Sequence, residues 1–139
     1  MKQIDNVKKK FEWEKYYDPT FDWTDYHFYR GNELLTEEFI QEFQNKVDWE
    51  YISSYKKLSE DFIQKFQDKV SWWHISTYQK LSEDFIRKFK DNVDWTMISM
   101  YQRLSEDFIC EFKDKVVWYL ISEYQPLSKE FKEKIKKYI

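Results

Sequence analysis

The chain has 139 residues, which is enough for one domain with a hydrophobic core, and 22% of them are aromatic. Its net charge is −3 and its central region is acidic, which argues against a nucleic-acid binder with the usual basic stripe. The single glycine excludes a glycine-rich phosphate loop and the single cysteine excludes an intrachain disulfide; no signal peptide or membrane-spanning run is evident, so we expect a cytoplasmic protein.

The first 34 residues match the rest of the chain only in part. Within residues 21–30, Trp23 and Tyr29 keep the Trp-to-Tyr spacing of the later repeats, which predicts a degenerate half-repeat. Residues 1–20 have no clear match, but they contain several aromatic side chains. We therefore predict that residues 1–34 form a cap over the open end of a repeat stack.

Residues 35–126 contain four repeats of 23 residues without gaps, and residues 127–139 form a truncated fifth that caps the other end. The repeats span 35–57, 58–80, 81–103 and 104–126. Their shared pattern is L-S/T-E-D/E-F-I-x-x-F-x-D/N-K/N-V-x-W-x-x-I-S-x-Y-x-x, numbered below as positions 1–23. This strict period predicts an all-α fold: one folded domain, an α-solenoid of short helix-turn-helix repeats with atypical caps.

Each repeat is predicted to contain two helices. The Ser or Thr at position 2 can cap the first helix, and the apolar residues at positions 5, 6, 9 and 13 form a stripe on one side of it. The second helix is predicted to begin near position 14, where Asp48, Ser71 and Asp94 can serve as caps and Val117 cannot. Trp, Ile and Tyr at positions 15, 18 and 21 are expected to supply its packing face.

The residues at positions 16, 17 and 20 vary between repeats and lie opposite the predicted packing face. Several of them are large and apolar, so they predict an exposed row that binds a partner. The candidate contact residues are Tyr51, Trp73, His74, Met97, Met100, Tyr119 and Leu120. Two other interpretations remain open: position 17 packs against neighbouring repeats, or these positions drift on a solvated face.

No catalytic constellation is evident in the sequence. His27 and His74 are far apart and have no second ligand at metal-binding spacing, so we expect no metal site and no cofactor. The serine at position 19 recurs in all four repeats, which indicates a packing role rather than a nucleophile, and Cys110 is treated as incidental. The segment 129–139 is predicted to be a basic amphipathic helix.

In the predicted C-terminal helix of residues 129–139, the buried side is expected to carry Phe131, Ile135 and Tyr138. This helix is expected to cap the last repeat with its lysines solvated.

The unit L-S-E-D-F-I…F-x-D-K-V-x-W…I-S-x-Y-Q resembles tandem repeats in proteins of giant DNA viruses and of phages or bacteria with AT-rich genomes. The match covers Leu35 to about Phe131 and departs in the first 34 residues and at Val117. The resemblance implies an α-solenoid and carries no activity to particular residues. Small virus-encoded helical proteins without enzyme motifs often act as stoichiometric antagonists of host factors, including anti-CRISPR proteins that block a Cas nuclease.

These observations predict a protein-binding repeat module rather than an enzyme. Its expected partner is a host protein or a protein–nucleic acid complex, with no small-molecule substrate, no membrane and no direct binding of nucleic acid. Two alternatives are a nucleic-acid-binding repeat protein that stacks bases on its aromatic residues, and a structural protein that self-associates.

Overall fold

The computed structural model describes residues 12–139, and within this range the chain forms ten α-helices and no strand. The part of the predicted N-terminal cap in residues 1–11 lies outside the described residues. The helices are α1 Tyr26–Tyr29, α2 Glu37–Glu42, α3 Trp49–Tyr55, α4 Glu60–Lys65, α5 Trp72–Tyr78, α6 Glu83–Lys88, α7 Trp95–Tyr101, α8 Glu106–Glu111, α9 Trp118–Tyr124 and α10 Lys129–Lys134. Helix starts recur every 23 residues, which confirms the predicted all-α repeat solenoid.

The first helix of each repeat begins at the predicted cap. The hydroxyl oxygen at position 2 accepts a hydrogen bond from the backbone N–H of the phenylalanine three residues later. The predicted apolar stripe is buried in every repeat, except that Phe112 is half-buried. The turn after this helix contains no glycine. It is closed by the backbone N–H groups of positions 12 and 13, which both donate to the carbonyl of position 9.

The second helices are capped unevenly. The Asp48 carboxylate accepts from the N–H groups of Glu50 and Tyr51, and Asp94 caps α7 in a similar way. Val117 gives α9 no side-chain cap, as predicted. The predicted cap at Ser71 is wrong: its Oγ lies 2.6 Å from His74 Nδ1, and α5 has no side-chain cap.

The prediction that the tyrosines at position 21 belong to the packing face is also wrong. All four tyrosine side chains are between 48% and 58% exposed. The second helix ends at this tyrosine, and in repeats two to four the next residue is a glutamine that is buried between repeats instead. The four exposed residues are Tyr55, Tyr78, Tyr101 and Tyr124.

The buried glutamines at position 22 join each repeat to the one before it. Gln102 Nε2 donates to the backbone carbonyls of Ser76 and Gln79 at 2.9 and 2.6 Å, and its Oε1 accepts from Leu81 N–H. Gln79 and Gln125 make the corresponding three bonds one repeat earlier and later. These bonds satisfy backbone groups that the ends of the short helices leave unpaired.

Two further polar contacts repeat along the stack. The buried serine at position 19 accepts from the backbone N–H that begins the next second helix, as Ser76 Oγ does from Asp94 at 3.0 Å. The glutamate at position 3 accepts from both the N–H and the hydroxyl of the next cap serine, as Glu83 does from Ser105 at 2.7 and 2.9 Å. The recurring serine therefore has a structural role, as its recurrence suggested.

Direct packing occurs mainly between second helices. α1 packs on α3, α3 on α5, α5 on α7, and α7 on α9. The tryptophan at position 15 reaches the first helix of the next repeat, and the Trp49 ring lies 5.4 Å from that of Phe66. Neighbouring repeats therefore share one continuous core. No helix in residues 12–139 has the length and apolar character needed to cross a membrane.

An aromatic cluster closes the N-terminal end of the stack. Trp23 lies against Phe43 at 5.3 Å, much as Trp49 lies against Phe66. Tyr29 differs from the exposed repeat tyrosines because it is fully buried. Its hydroxyl donates to Trp23 O at 2.7 Å and accepts from Asp48 N–H at 2.8 Å, the bonds that Ser99 makes later in the chain.

The C-terminal end is closed by α10 and the 3-10 turn Ile135–Tyr138. Phe131 and Ile135 are buried as predicted. Tyr138 is not buried but 42% exposed, because it stacks on the outer side of Trp118 at 4.5 Å. Its ring covers the last tryptophan in the place where each earlier tryptophan meets the next repeat.

Candidate binding surface

The second helices expose one side that runs along the stack. At about 100° per residue, positions 16, 17, 20 and 21 occupy one continuous arc of each helix, and positions 15, 18, 19 and 22 occupy the opposite arc. Burial follows the same division: the isoleucines at position 18 are fully buried, whereas none of the residues in the first arc is. Because the second helices pack side by side, the four exposed arcs form one surface.

We call this surface the aromatic face. Its members are Glu50, Tyr51, Ser54, Tyr55, Trp73, His74, Thr77, Tyr78, Thr96, Met97, Met100, Tyr101, Tyr119, Leu120, Glu123 and Tyr124. Six aromatic residues on it are at least 45% exposed. Taking about 200 Å² for one fully exposed aromatic side chain, these six expose roughly 650 Å² together. The largest apolar patch on a typical monomer is about 300–600 Å².

The residues predicted as contacts all belong to this face, with different exposure. Trp73 and Tyr119 are exposed, at 45% and 64%. The other five are half-buried, and the Tyr51 ring packs against Tyr29 at 5.2 Å. The five half-buried residues are Tyr51, His74, Met97, Met100 and Leu120. The residues at position 17 therefore pack partly against the stack and partly face solvent.

The tyrosines at position 21 are the part of the face that sequence reasoning missed. Their constancy suggested packing, yet they form an exposed row beside the variable residues. A signal was present in the sequence: on the helical wheel, position 21 lies about 40° from variable position 17. The row makes the face more aromatic and more uniform from repeat to repeat than the variable positions alone indicate.

The second repeat holds the densest aromatic cluster of the face. The His74 ring lies 4.8 Å from Trp73 and stacks on Tyr78 at 6.3 Å. The hydrogen bond between His74 Nδ1 and Ser71 Oγ fixes the orientation of the imidazole. Trp73 is consequently held by neighbouring rings in an exposed position, which is typical of a binding hot spot.

Charge is sparse on the aromatic face. Glu50 and Glu123 lie at its two ends, and none of its sixteen positions is lysine or arginine. Exposed cations border one edge, at position 23, two residues after three of the exposed tyrosines. These edge cations are Lys57, Lys80 and Arg103. Most other charged side chains lie on the first helices and in the turns that follow them.

Two clefts open between neighbouring second helices. One of about 280 Å³ lies between α3 and α5 and is lined by Tyr51, Tyr55, His74 and Tyr78 among others. A second of about 470 Å³ lies between the ends of α7 and α9, beside Arg103. Both clefts are open to solvent and can receive side chains of a partner.

Within residues 12–139 no group of His, Cys, Asp and Glu side chains could hold a metal ion. Cys110 is an exposed free thiol on α8, apart from the aromatic face. Comparisons with protein-family models, curated proteins and solved structures find no match to this chain.

Proposed function

We propose that the chain is a protein-binding repeat module whose aromatic face holds its partner. The observation that carries this proposal is the roughly 650 Å² of exposed aromatic surface, ordered by stacked helices. A standard protein–protein interface buries about 800 Å² on each partner, so the face has a suitable size. Tyrosine and tryptophan are also the residue types most enriched among binding hot spots.

The partner we propose is a cytoplasmic host defence protein, alone or with bound nucleic acid, which the chain inhibits stoichiometrically. This part rests on the resemblance of the repeat to proteins of DNA viruses and phages, and an anti-CRISPR protein acting on a Cas nuclease exemplifies the class. Binding rather than catalysis is proposed because the face presents apolar rings and has two carboxylates and one imidazole as its only ionisable groups besides tyrosine.

Direct binding of nucleic acid is the weaker alternative. Most of the affinity for nucleic acid comes from lysine and arginine on phosphates, and the aromatic face has none within it and three at its edge. A gel-shift experiment over a range of salt concentrations separates the two functions. Affinity that falls steeply with salt would favour nucleic acid over protein.

The proposal is tested by quantitative affinity capture from a host lysate. The face variant carries Trp73→Asp, Met97→Asp and Tyr119→Asp, and a matched control with the same change in net charge carries Gln41→Asp, Gln64→Asp and Gln67→Asp on the first-helix side. We expect the amount of each protein captured by both the wild type and the control to be at least tenfold lower with the face variant, since hot-spot residues contribute about 2 kcal/mol or more each. Identical capture by all three proteins would contradict the proposal.

Light scattering over a concentration series completes the test. A mass that rises with concentration for the wild type and stays constant for the face variant would show that the face binds a second copy, which is the self-association alternative.

A further inference from the structure

We infer that the segment bound by the aromatic face is an amphipathic α-helix of about 20 residues, acidic along one edge, lying lengthwise across α3, α5, α7 and α9. This inference rests on the proposed function and specifies the chemistry of the partner. It follows from three properties of the face: its lack of a sheet edge, its spacing, and the placement of its edge cations.

The backbone of the face favours a helical partner over an extended one. The face consists of side chains on α-helices, and the first N–H groups that lack a side-chain cap are those at the starts of α5 and α9. An extended segment would place its own N–H and C=O groups against rings and aliphatic side chains without a sheet edge to pair with. A helix satisfies its backbone internally and can lose water against this face at little cost.

The spacing of the repeats matches the rise of a helix. Packed helices lie about 8–10 Å apart, and seven residues of an α-helix rise about 10.5 Å. Apolar side chains seven residues apart in the partner can therefore meet successive repeats. The clefts between α3 and α5 and between α7 and α9 would receive two of these side chains. Four second helices span about 30 Å, the length of a helix of about 20 residues.

The edge cations favour a partner with acidic side chains along one edge. Lys57, Lys80 and Arg103 follow the exposed tyrosines two residues later, just past the ends of the second helices, and form a row along one edge. Among residues 12–139 none of the three forms an ion pair with a carboxylate. A partner helix whose apolar side lies on the rings would bring its flanking side chains to this row. Aspartate and glutamate there would form complementary contacts at the rim of the interface.

The test is a selection from a displayed library of random 21-residue peptides on the intact chain. Binders of the wild type are counter-selected against a variant with Tyr55, Tyr78, Tyr101 and Tyr124 all changed to Ala. We expect the surviving peptides to carry apolar residues at helical spacing and an excess of Asp and Glu. Circular dichroism should show that they become helical on binding.

Charge reversal at the edge supplies the second readout. The variant Lys57→Glu, Lys80→Glu, Arg103→Glu should weaken these peptides at least tenfold. The matched control Lys46→Glu, Lys90→Glu, Lys113→Glu has the same change in net charge on the first-helix side and should leave the affinity within about twofold, since rim charges act locally at physiological salt.

Each other outcome overturns a defined part of the argument. Face-dependent peptides that are extended, rich in proline or basic would overturn the inference and leave the proposed function standing. A 30-nucleotide single strand that displaces the selected peptides with steep salt dependence would assign the face to nucleic acid. A selection in which no peptide distinguishes the wild type from the tyrosine-to-alanine variant would overturn both the inference and the proposed function.

Discussion

The glutamines at position 22 show how one side chain can serve three backbone groups at once. A primary amide has two N–H donors and an acceptor oxygen, and Gln102 directs all of them at main-chain atoms of two preceding segments. In the first repeat Lys56 occupies this position, donates to Asn32 O at 2.8 Å, and has its pKa lowered by burial. A lysine can donate there but cannot accept. The contact between the first repeat and the segment before it therefore differs from the joints, the contacts between successive repeats, later in the chain.

Replacing Gln102 with leucine should destabilise the chain strongly. Leucine preserves the apolar volume but leaves Leu81 N–H and two carbonyls without partners in a buried joint. Each such group costs about 1–3 kcal/mol, and we expect a total loss of about 3–5 kcal/mol in the free energy of unfolding. Urea denaturation measures this. Gln67→Leu on the exposed side of the turn is the control and should cost less than about 0.5 kcal/mol.

Tyr29 should make stability depend on alkaline pH. Burial raises its pKa to about 12, above the value of about 10 in an unfolded chain, so the folded state favours the neutral phenol. The resulting stability is fully present below pH 10 and is lost as the pH rises through about 12, by roughly 2–3 kcal/mol.

Urea midpoints measured from pH 9 to 12 test this expectation. The variant Tyr29→Phe should be less stable at pH 9, because Asp48 N–H loses its acceptor, yet it should lose less stability than the wild type as the pH rises. Equal slopes in the two proteins would contradict the assignment.

At the scale of the element, the helices are too short to persist alone. The first helices have six residues and the second helices seven, whereas isolated helices shorter than about 12–15 residues are marginal in water. Their ends are therefore a large part of each helix, and caps matter more than in longer helices. α5 and α9 are the weakest in this respect, since neither has a side-chain cap for its first N–H groups, and Val117 has no acceptor to offer.

Val117→Asp should stabilise the chain. The backbone of Val117, at φ −93° and ψ 100°, is close to that of the capping Asp94, at φ −87° and ψ 108°. An aspartate there should cap α9 and raise stability by about 1 kcal/mol, which is roughly 3–5 °C in the melting temperature for a chain of this size. Val117→Ala, which adds no acceptor, should not raise it. A lower melting temperature for the aspartate variant would show that packing around Val117 outweighs the cap.

The sequence specifies these elements better than it specifies their exposed sides. The period, the position-2 caps and the stripe at positions 5, 6, 9 and 13 follow from local rules, and the structure confirms them. The exposure of Tyr78 did not follow, because constancy between repeats cannot distinguish a buried residue from an exposed one. The Ser71 cap failed because a neighbouring imidazole offered its hydroxyl another partner. The seven residues named from the sequence lie on the candidate face, and the tyrosine row was not predicted.

At the scale of the whole molecule, equivalent joints make the stack modular. The same glutamine, serine and glutamate bonds recur between repeats two, three and four. In such an array, stability is approximately a sum over repeats and the interfaces between neighbours. One repeat can then be removed without changing the joints that remain.

Deletion of residues 81–103 should leave a folded, shorter stack. Gln125 would then bond to the carbonyls of Ser76 and Gln79, as Gln102 does in the full chain. We expect an unchanged helical signal per residue by circular dichroism and a lower urea midpoint, because one repeat and one interface are lost. Deletion of residues 81–92 breaks the register and should unfold the array. Loss of helicity in the first deletion would show that the joints are not interchangeable.

The side chains of the aromatic face that differ between repeats take no part in the hydrogen bonds between repeats. Ser54 and Thr77 bond to carbonyls of their own helices, and His74 bonds to Ser71 of the same repeat. Substitutions at these surface positions therefore leave the hydrogen bonds between repeats intact. A lineage that carries this protein can alter its target preference by successive single substitutions, or by exchanging whole units through recombination, without losing the hydrogen bonds between repeats.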